Sequence, residues 1–263
     1  MTTCRFLVAA VAISFLMVSS ANAGFHLMQI EQVIGGVNGD TTSQAIQLRM
    51  RSGGQTVVSA ASLWAADAAG ANRVLLLDIA GPSVSNGAAG DRVLLTTNGF
   101  KQYLINHGSP TFTPDFVLAN PIPSSYLTAG RLTFEADGGS VATPGTIYWS
   151  LSWGGAGYTG STTGDPTNDS NSNFGPSFGS ALPTSTRSGV LFQGTAGAAS
   201  NTNQADYLLS ANPATVTENS HVSFVIPTPE PSALVLLLTA LLPLAWVRAR
   251  SRRIRRELSV AAC

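Results

Sequence analysis

The chain of 263 residues carries fourteen Lys or Arg and fourteen Asp or Glu, so its formal net charge is zero, and 44% of its residues are hydrophobic. The zero hides a division: the stretch from Gly24 to Ile226 holds seven basic and twelve acidic residues, and the remaining basic charge sits at the two ends. A mildly acidic body of that kind excludes electrostatic binding of nucleic acid or anionic lipid, and its length suits one domain, with or without long loops.

The amino terminus opens with Arg5, an apolar stretch from Phe6 to Val18, and the small-residue pattern Ala21-Asn22-Ala23. An apolar core thirteen residues long suits a cleaved secretory signal better than a spanning helix. Small side chains at Ala21 and Ala23 fit the narrow pockets of a signal peptidase. Residues 1–23 are therefore expected to be a signal peptide, with Gly24 first in the mature chain. The only two cysteines, Cys4 and Cys263, both fall in segments expected to be removed. The body then has no disulfide, no thiolate nucleophile and no cysteine-ligated metal.

Beyond Gly24, short apolar or alternating runs predict strands over Leu27–Ile34, Ala45–Met50, Thr56–Trp64, Val74–Ile79, Arg92–Thr96, Leu132–Glu135 and Thr146–Trp153. Turn formers punctuate them: Gly35-Gly36, Asn38-Gly39-Asp40, Ser52-Gly53-Gly54, Gly87 to Gly90 and Asp137-Gly138-Gly139. The alanine-rich piece Ala60–Ala71 is the one helical candidate, and it equally suits a strand leading into a turn. Period-2 alternation sets Trp149, Leu151 and Trp153 against Tyr148, Ser150 and Ser152. From 154 to 188 Gly, Ser, Thr and Asn dominate, which predicts a long polar loop unable to build a packed core. Final strands are predicted at Val190–Phe192, Tyr207–Leu209 and His221–Ile226, within residues 189–226. Many short strands with frequent turns predict an all-β fold, a sandwich or barrel.

The last part of the chain has three segments in series. Residues 227–231 form a linker with Pro229-Glu230-Pro231. An apolar run within 232–247 follows, then a basic tail over 248–263 with Arg248, Arg250, Arg252, Arg253, Arg255 and Arg256. Ala233 to Val247 is fifteen residues, about 22 Å of helix against the roughly 30 Å hydrocarbon core, a span that arginine snorkelling and bilayer thinning make feasible. Positive charge stays in the cytoplasm, which places everything before Ala233 outside. In this order the three segments resemble the PEP-CTERM sorting signal of Gram-negative bacteria. The resemblance implies an exosortase substrate: a transient inner-membrane anchor at 232–247, processing near Pro229, and release to the cell surface or exterior. Such proteins commonly accompany extracellular polysaccharide.

Within the body, Phe25 to Val33, Gly39-Asp40 and Gln44 to Leu48, with Thr113 to Val117 and Gly130 to Phe134, look like segments of bacterial lamin-tail-like domains. The likeness covers residues 24–153. It implies an immunoglobulin-like β-sandwich with an adhesive or interaction role and no reaction.

Four groups of residues bear on chemistry. Gly175-Pro176-Ser177-Phe178-Gly179 matches Gly-x-Ser-x-Gly, with Asp206 and His221 following in hydrolase order. A proline directly before the serine, no strand leading in and no helix after it argue against a nucleophile elbow. Gly155-x-Gly157-x-x-Gly160 matches the dinucleotide fingerprint, but Ser161 to Pro166 cannot open a helix to hold a pyrophosphate. Asp165, Asn168, Asp169, Asn171 and Asn173 offer oxygen ligands at spacings that suit calcium, yet Gly175 falls one place late and Ser180 stands where a bidentate glutamate belongs. His26, His107 and His221 are far apart in sequence, although His26 and His221 are both predicted in strands near the ends of the body. Trp149, Trp153 and Tyr158 border the polar loop and present either sugar-stacking surfaces or core residues.

Taken together, the residues predict a non-enzymatic, exported surface or matrix protein with no cofactor and no metal. Its partners would be a signal peptidase, an exosortase, the inner membrane and extracellular polysaccharide. The alternatives are a secreted serine hydrolase using Ser177 and a carbohydrate-binding module using the aromatic rings.

Overall fold

The computed structural model describes residues 24–81, 83–167 and 171–228, and one compact unit runs up to Ile226. The expected signal segment with Ala21 and Ala23, the Pro229-Glu230-Pro231 motif, the apolar segment 232–247 and the arginines Arg248, Arg250, Arg252 and Arg253 lie outside the described residues. Asn168 and Asp169 do as well. Among the described residues no helix is long and apolar enough to cross a membrane.

The body is all-β with short helical insertions. Strands β1 (Met28–Ile34), β2 (Ala45–Met50), β5 (Arg92–Thr96), β6 (Phe116–Val117), β9 (Val190–Phe192) and β10 (Tyr207–Leu209) form one sheet in the order β10-β9-β1-β2-β5-β6. A second sheet, β4-β3-β7-β8, takes β3 (Ala61–Ala66), β4 (Val74–Asp78), β7 (Gly130–Ala136) and β8 (Ile147–Trp153). A hairpin of β11 (Thr215–Thr217) and β12 (Ser223–Val225) stands apart from both. Neighbours are antiparallel except β5 and β6.

Alternation decides which side chains meet. Ile46, Leu48 and Met50 on β2, Met28, Ile30 and Val33 on β1, and Val93 and Leu95 on β5 share one core with Leu63, Leu132, Phe134, Trp149, Leu151 and Trp153 of the smaller sheet. Two sheets thus close face to face over a common apolar layer, a β-sandwich arrangement in which each large buried side chain stabilises by roughly 1.5–3 kcal/mol. Between β1 and β2, Asn38 and Gly39 adopt positive φ of 51° and 92°, and Val37 and Asp40 exchange backbone hydrogen bonds of 3.1 and 2.9 Å. An Asn-Gly pair reaches that conformation at little steric cost, which turns the connection back toward β2.

A third layer covers part of the larger sheet's outer face. Helix α1 (Asn98–Asn106) starts on Thr97, whose hydroxyl accepts the Phe100 amide at 3.2 Å, a capping bond that satisfies one of the first-turn donors. Its Phe100 and Leu104 pack with Ile34, Ala45, Leu94, Phe112, Val216 and Ile226 in a second core. The hairpin supplies Val216, so α1 and β11 shield the same half of the sheet.

Several sequence expectations change here. Ala60–Ala71 is a strand followed by a turn, since β3 takes residues Ala61–Ala66 and Asp67 to Gly70 close on themselves. The strands predicted at Leu27–Ile34 and His221–Ile226 form as β1 and β12 but leave out both histidines: His26 precedes β1, and His221 lies in the β11–β12 connection at φ 69°. The stretch 154–188 is mostly irregular but not merely polar surface. Phe174, Phe178 and Leu182 are buried, and Phe178 and Leu182 enter the main core. Isolated apolar residues among glycines and serines carry no periodicity, yet each finds space where the loop crosses the sandwich end. Phe178 docks beside Trp153, its amide bonding the Ser152 carbonyl at 2.9 Å. Strands β9 and β10, far along the chain, join the sheet on the other side of β1, with β9 beside β1 and β10 beyond it.

Candidate functional site

On the uncovered half of the larger sheet's outer face, β1 contains a bulge at Glu31: Ile30 faces Leu48 and Gln32 faces Gln47, leaving Glu31 as the extra residue. A bulge breaks strict alternation, so two consecutive polar residues reach the same side. Glu31 and Gln32 both line one open cleft of about 460 Å³, together with Gln47, Arg49, Arg92, Ser210, Thr215 and Thr217.

Glu31 is buried and heavily partnered. Its carboxylate accepts from Arg49 Nη1 at 2.9 Å, from Arg92 Nε at 2.7 Å and Nη2 at 2.9 Å, and from Gln47 Nε2 at 2.7 Å. A carboxylate removed from water is costly unless surrounded by donors of this kind. With its amide oxygen turned toward Arg49, Gln29 accepts from the same guanidinium. Burial pulls the Arg49 guanidinium below the ordinary arginine value; Glu31 opposes the fall and Arg92 adds to it. Arg49 also donates to the Gly194 carbonyl at 2.6 Å, tying the polar loop after β9 to the cleft edge. The hairpin closes the other side, with the Thr217 amide bonding Gln47 Oε1 at 2.6 Å.

Gln32 differs from its neighbours. It is only 3% exposed, it lines the cleft, and its carboxamide bonds no described residue. The Arg92 side chain is 36% exposed, and its Nη1 likewise has no hydrogen-bond partner among the described residues. These two groups give the cleft unspent hydrogen-bonding capacity.

The outer face of the smaller sheet carries a comparable but closed network. Fully buried Glu135 pairs with Arg73 and accepts from Thr133 Oγ1 and from the Gly145 amide. Arg73 lies over the Trp64 ring at 4.4 Å, and Arg131 lies over Phe174 at 4.7 Å. Arg73 also donates to the Ser140 carbonyl, and Arg131 to Ser150 Oγ at 2.8 Å.

The residues singled out from sequence are dispersed. Ser177 is buried and donates to the Gly155 carbonyl at 2.8 Å; Asp206 accepts from Ser200 Oγ and the Thr202 amide; His221 pairs with Asp91 at 2.9 Å. Each of the three is committed to a different partner. His107 Nδ1 lies 2.7 Å from the Tyr103 carbonyl with its ring stacked on Tyr103, while His26 sits beside Tyr148. Gly154 and Gly155 adopt positive φ, and no helix follows Gly157 that would receive a pyrophosphate. In the proposed calcium loop, Asp165 pairs with Arg131 at 3.7 Å, and the side chains of Asn171 and Asn173 accept nearby backbone amides in tight turns. Among the described residues no group of three His, Cys, Asp or Glu side chains is arranged to hold a metal.

The aromatic platform is also overturned. Trp149 and Trp153 share a face, as alternation predicts, but that face is the core, where they are 1% and 0% exposed; Tyr158 is 8% exposed. None of these rings is available to stack on a sugar. The cleft around Glu31 was not found from sequence, although the doublet Glu31-Gln32 inside an otherwise alternating strand is the signal that marks its bulge.

No protein-family model matches the chain, and no curated protein or solved structure matches it.

Proposed function

We propose that this chain is an exported, exosortase-processed surface or matrix protein of non-enzymatic function, whose body is an immunoglobulin-like β-sandwich of the lamin-tail-like kind. The observation carrying this reading is where the fold stops. The compact unit closes at Ile226, whose amide bonds the Ala214 carbonyl at 3.0 Å, and Pro229-Glu230-Pro231 follows within three residues. A cut at that motif removes the apolar and basic segments and takes nothing from the sandwich. The signal-peptide pattern ending at Ala23 has the same relation to the front, since β1 begins at Met28.

Export would run through a signal peptidase at Ala21-x-Ala23. Retention would follow, by residues 232–247 in the inner membrane with Arg248, Arg250, Arg252 and Arg253 inside, then release by an exosortase. Extracellular polysaccharide is the partner this route suggests, and an acidic body gives no reason to bind nucleic acid. A non-enzymatic role is supported by the commitment of Ser177 Oγ to a backbone carbonyl, away from Asp206 and His221.

Mass spectrometry of the protein recovered from culture supernatant tests the route. The expected product begins at Gly24 and ends close to Pro229. Recovery of the intact chain, with Met1 and Cys263 present, as a soluble cytosolic species would overturn it. Replacing Ser177 with Ala is expected to leave surface behaviour unchanged.

A further inference from the structure

We propose that the cleft beside Glu31 binds an acidic sugar unit of a polysaccharide chain, which rests on the exported reading only for where that sugar is met. Three features point to this ligand class. First, Gln32 is nine-tenths buried, lines the cleft and offers two N–H donors and one carbonyl acceptor that no described residue uses. Its amide faces the open cleft, where a hydroxyl, which donates and accepts, complements it.

Second, the charge is right for a carboxylate. Among the described residues Glu31 is the only carboxylate lining the cleft, and it is already held by Arg49 and Arg92 through contacts of 2.7–2.9 Å. Two guanidinium groups against one carboxylate leave a positive excess at the exposed edge of Arg92, in a body that is otherwise net acidic. Third, the rim is hydroxylated and open. Ser210, Thr215 and Thr217 surround a cavity of about 460 Å³, within the roughly 300–1,000 Å³ of small-ligand sites. An open mouth lets a chain enter and leave on either side of the bound unit. Arg49 and Gln47 act as positioning residues: they hold Glu31, and Glu31 holds Arg92 with its free edge outward.

Calorimetry on the full chain in mild detergent tests the site with three probes: an oligogalacturonate, a neutral glucose oligomer of equal length, and acetate. Saturable binding of the oligogalacturonate is expected, with neither the neutral oligomer nor acetate binding detectably. Gln32→Leu and Arg92→Lys should each weaken that binding about tenfold, the loss of roughly one good hydrogen bond. Thr215→Tyr, at an exposed rim position, should block it even if Gln32→Leu fails to fold. Absence of binding, equal binding of the neutral oligomer, binding of acetate alone, or an affinity indifferent to these substitutions would overturn the proposal. Because the unprocessed chain is used, such a failure counts against the cleft and leaves the export route to its own test.

Discussion

Trp149 Nε1 donates to Tyr207 Oη across 2.7 Å, and Tyr207 donates in turn to the Ile30 carbonyl at 2.7 Å. One phenol therefore ties β8 of the smaller sheet to β10 and β1 of the larger one, at the centre of the core. Burial pushes the Tyr207 hydroxyl above the usual tyrosine range, which favours its role as a neutral donor. Tyr207→Phe keeps the ring but leaves the Trp149 N–H buried without its acceptor. Urea denaturation should show a loss of about 1–3 kcal/mol, the desolvation penalty of an orphaned donor, with a change in near-ultraviolet circular dichroism from Trp149.

Removing the carboxylate at Glu31 leaves Arg49 and Arg92 facing each other without their counter-charge. Glu31→Ala is expected to cost about 3 kcal/mol, the lower end for a broken buried pair because Arg92 retains solvent. Replacing Glu31, Arg49 and Arg92 together with apolar residues should cost less than Glu31→Ala alone, since no charge is then stranded. Chemical denaturation of both variants measures the difference.

Asp115 Oδ2 accepts the amides of Leu94 and Asn219, at 2.7 and 2.9 Å, and fastens the hairpin connection to β5. Burial raises its pKa above the ordinary 3.8; the two amides lower it, Glu218 raises it, and the net shift is upward. The folded state thus holds this proton more tightly than the unfolded chain. The associated stability is complete below 3.8 and is lost as pH rises through the folded value. Asp115→Asn keeps an oxygen for both amides and removes the titration. The stability difference between native protein and variant should fall as pH is raised from the acid side toward neutrality, as followed by urea melts across that range.

Gly154 leaves β8 at φ +100°, and a side chain there would meet the Cβ of Ala129 and, at 2.8 Å, the Thr128 carbonyl. Gly154→Ala combines left-handed strain with overlap against backbone, together about 3 kcal/mol. A melting temperature lower by roughly 6–12 °C is expected for a domain of this size.

Most strands were legible as short apolar or alternating runs between turn formers: Ala45–Met50, Arg92–Thr96, Val190–Phe192 and Tyr207–Leu209 fall where the pattern places them. Helix α1 was hidden because Asn98-Gly99 reads as a turn, and only the Thr97 cap and the burial of Phe100 and Leu104 against the sheet make it a helix. Phe174, Phe178 and Leu182 were lost in a polar background for want of any period. The cleft was illegible for a different reason. It needs the Glu31 bulge, the β1–β2–β5 register that aligns Glu31, Gln47, Arg49 and Arg92, and a hairpin from the end of the body, and only the first leaves a local trace.

The pairing of Gln32 with Leu191 and of Val33 with Val190 has a temporal consequence. The first strand of the body has β2 on one side at once, but on its other side it waits for β9, which is made only after most of the chain. Contacts so distant in sequence slow folding. A chain emerging from its amino terminus would therefore leave that edge of the larger sheet unpaired until β9 and β10 arrive to close it.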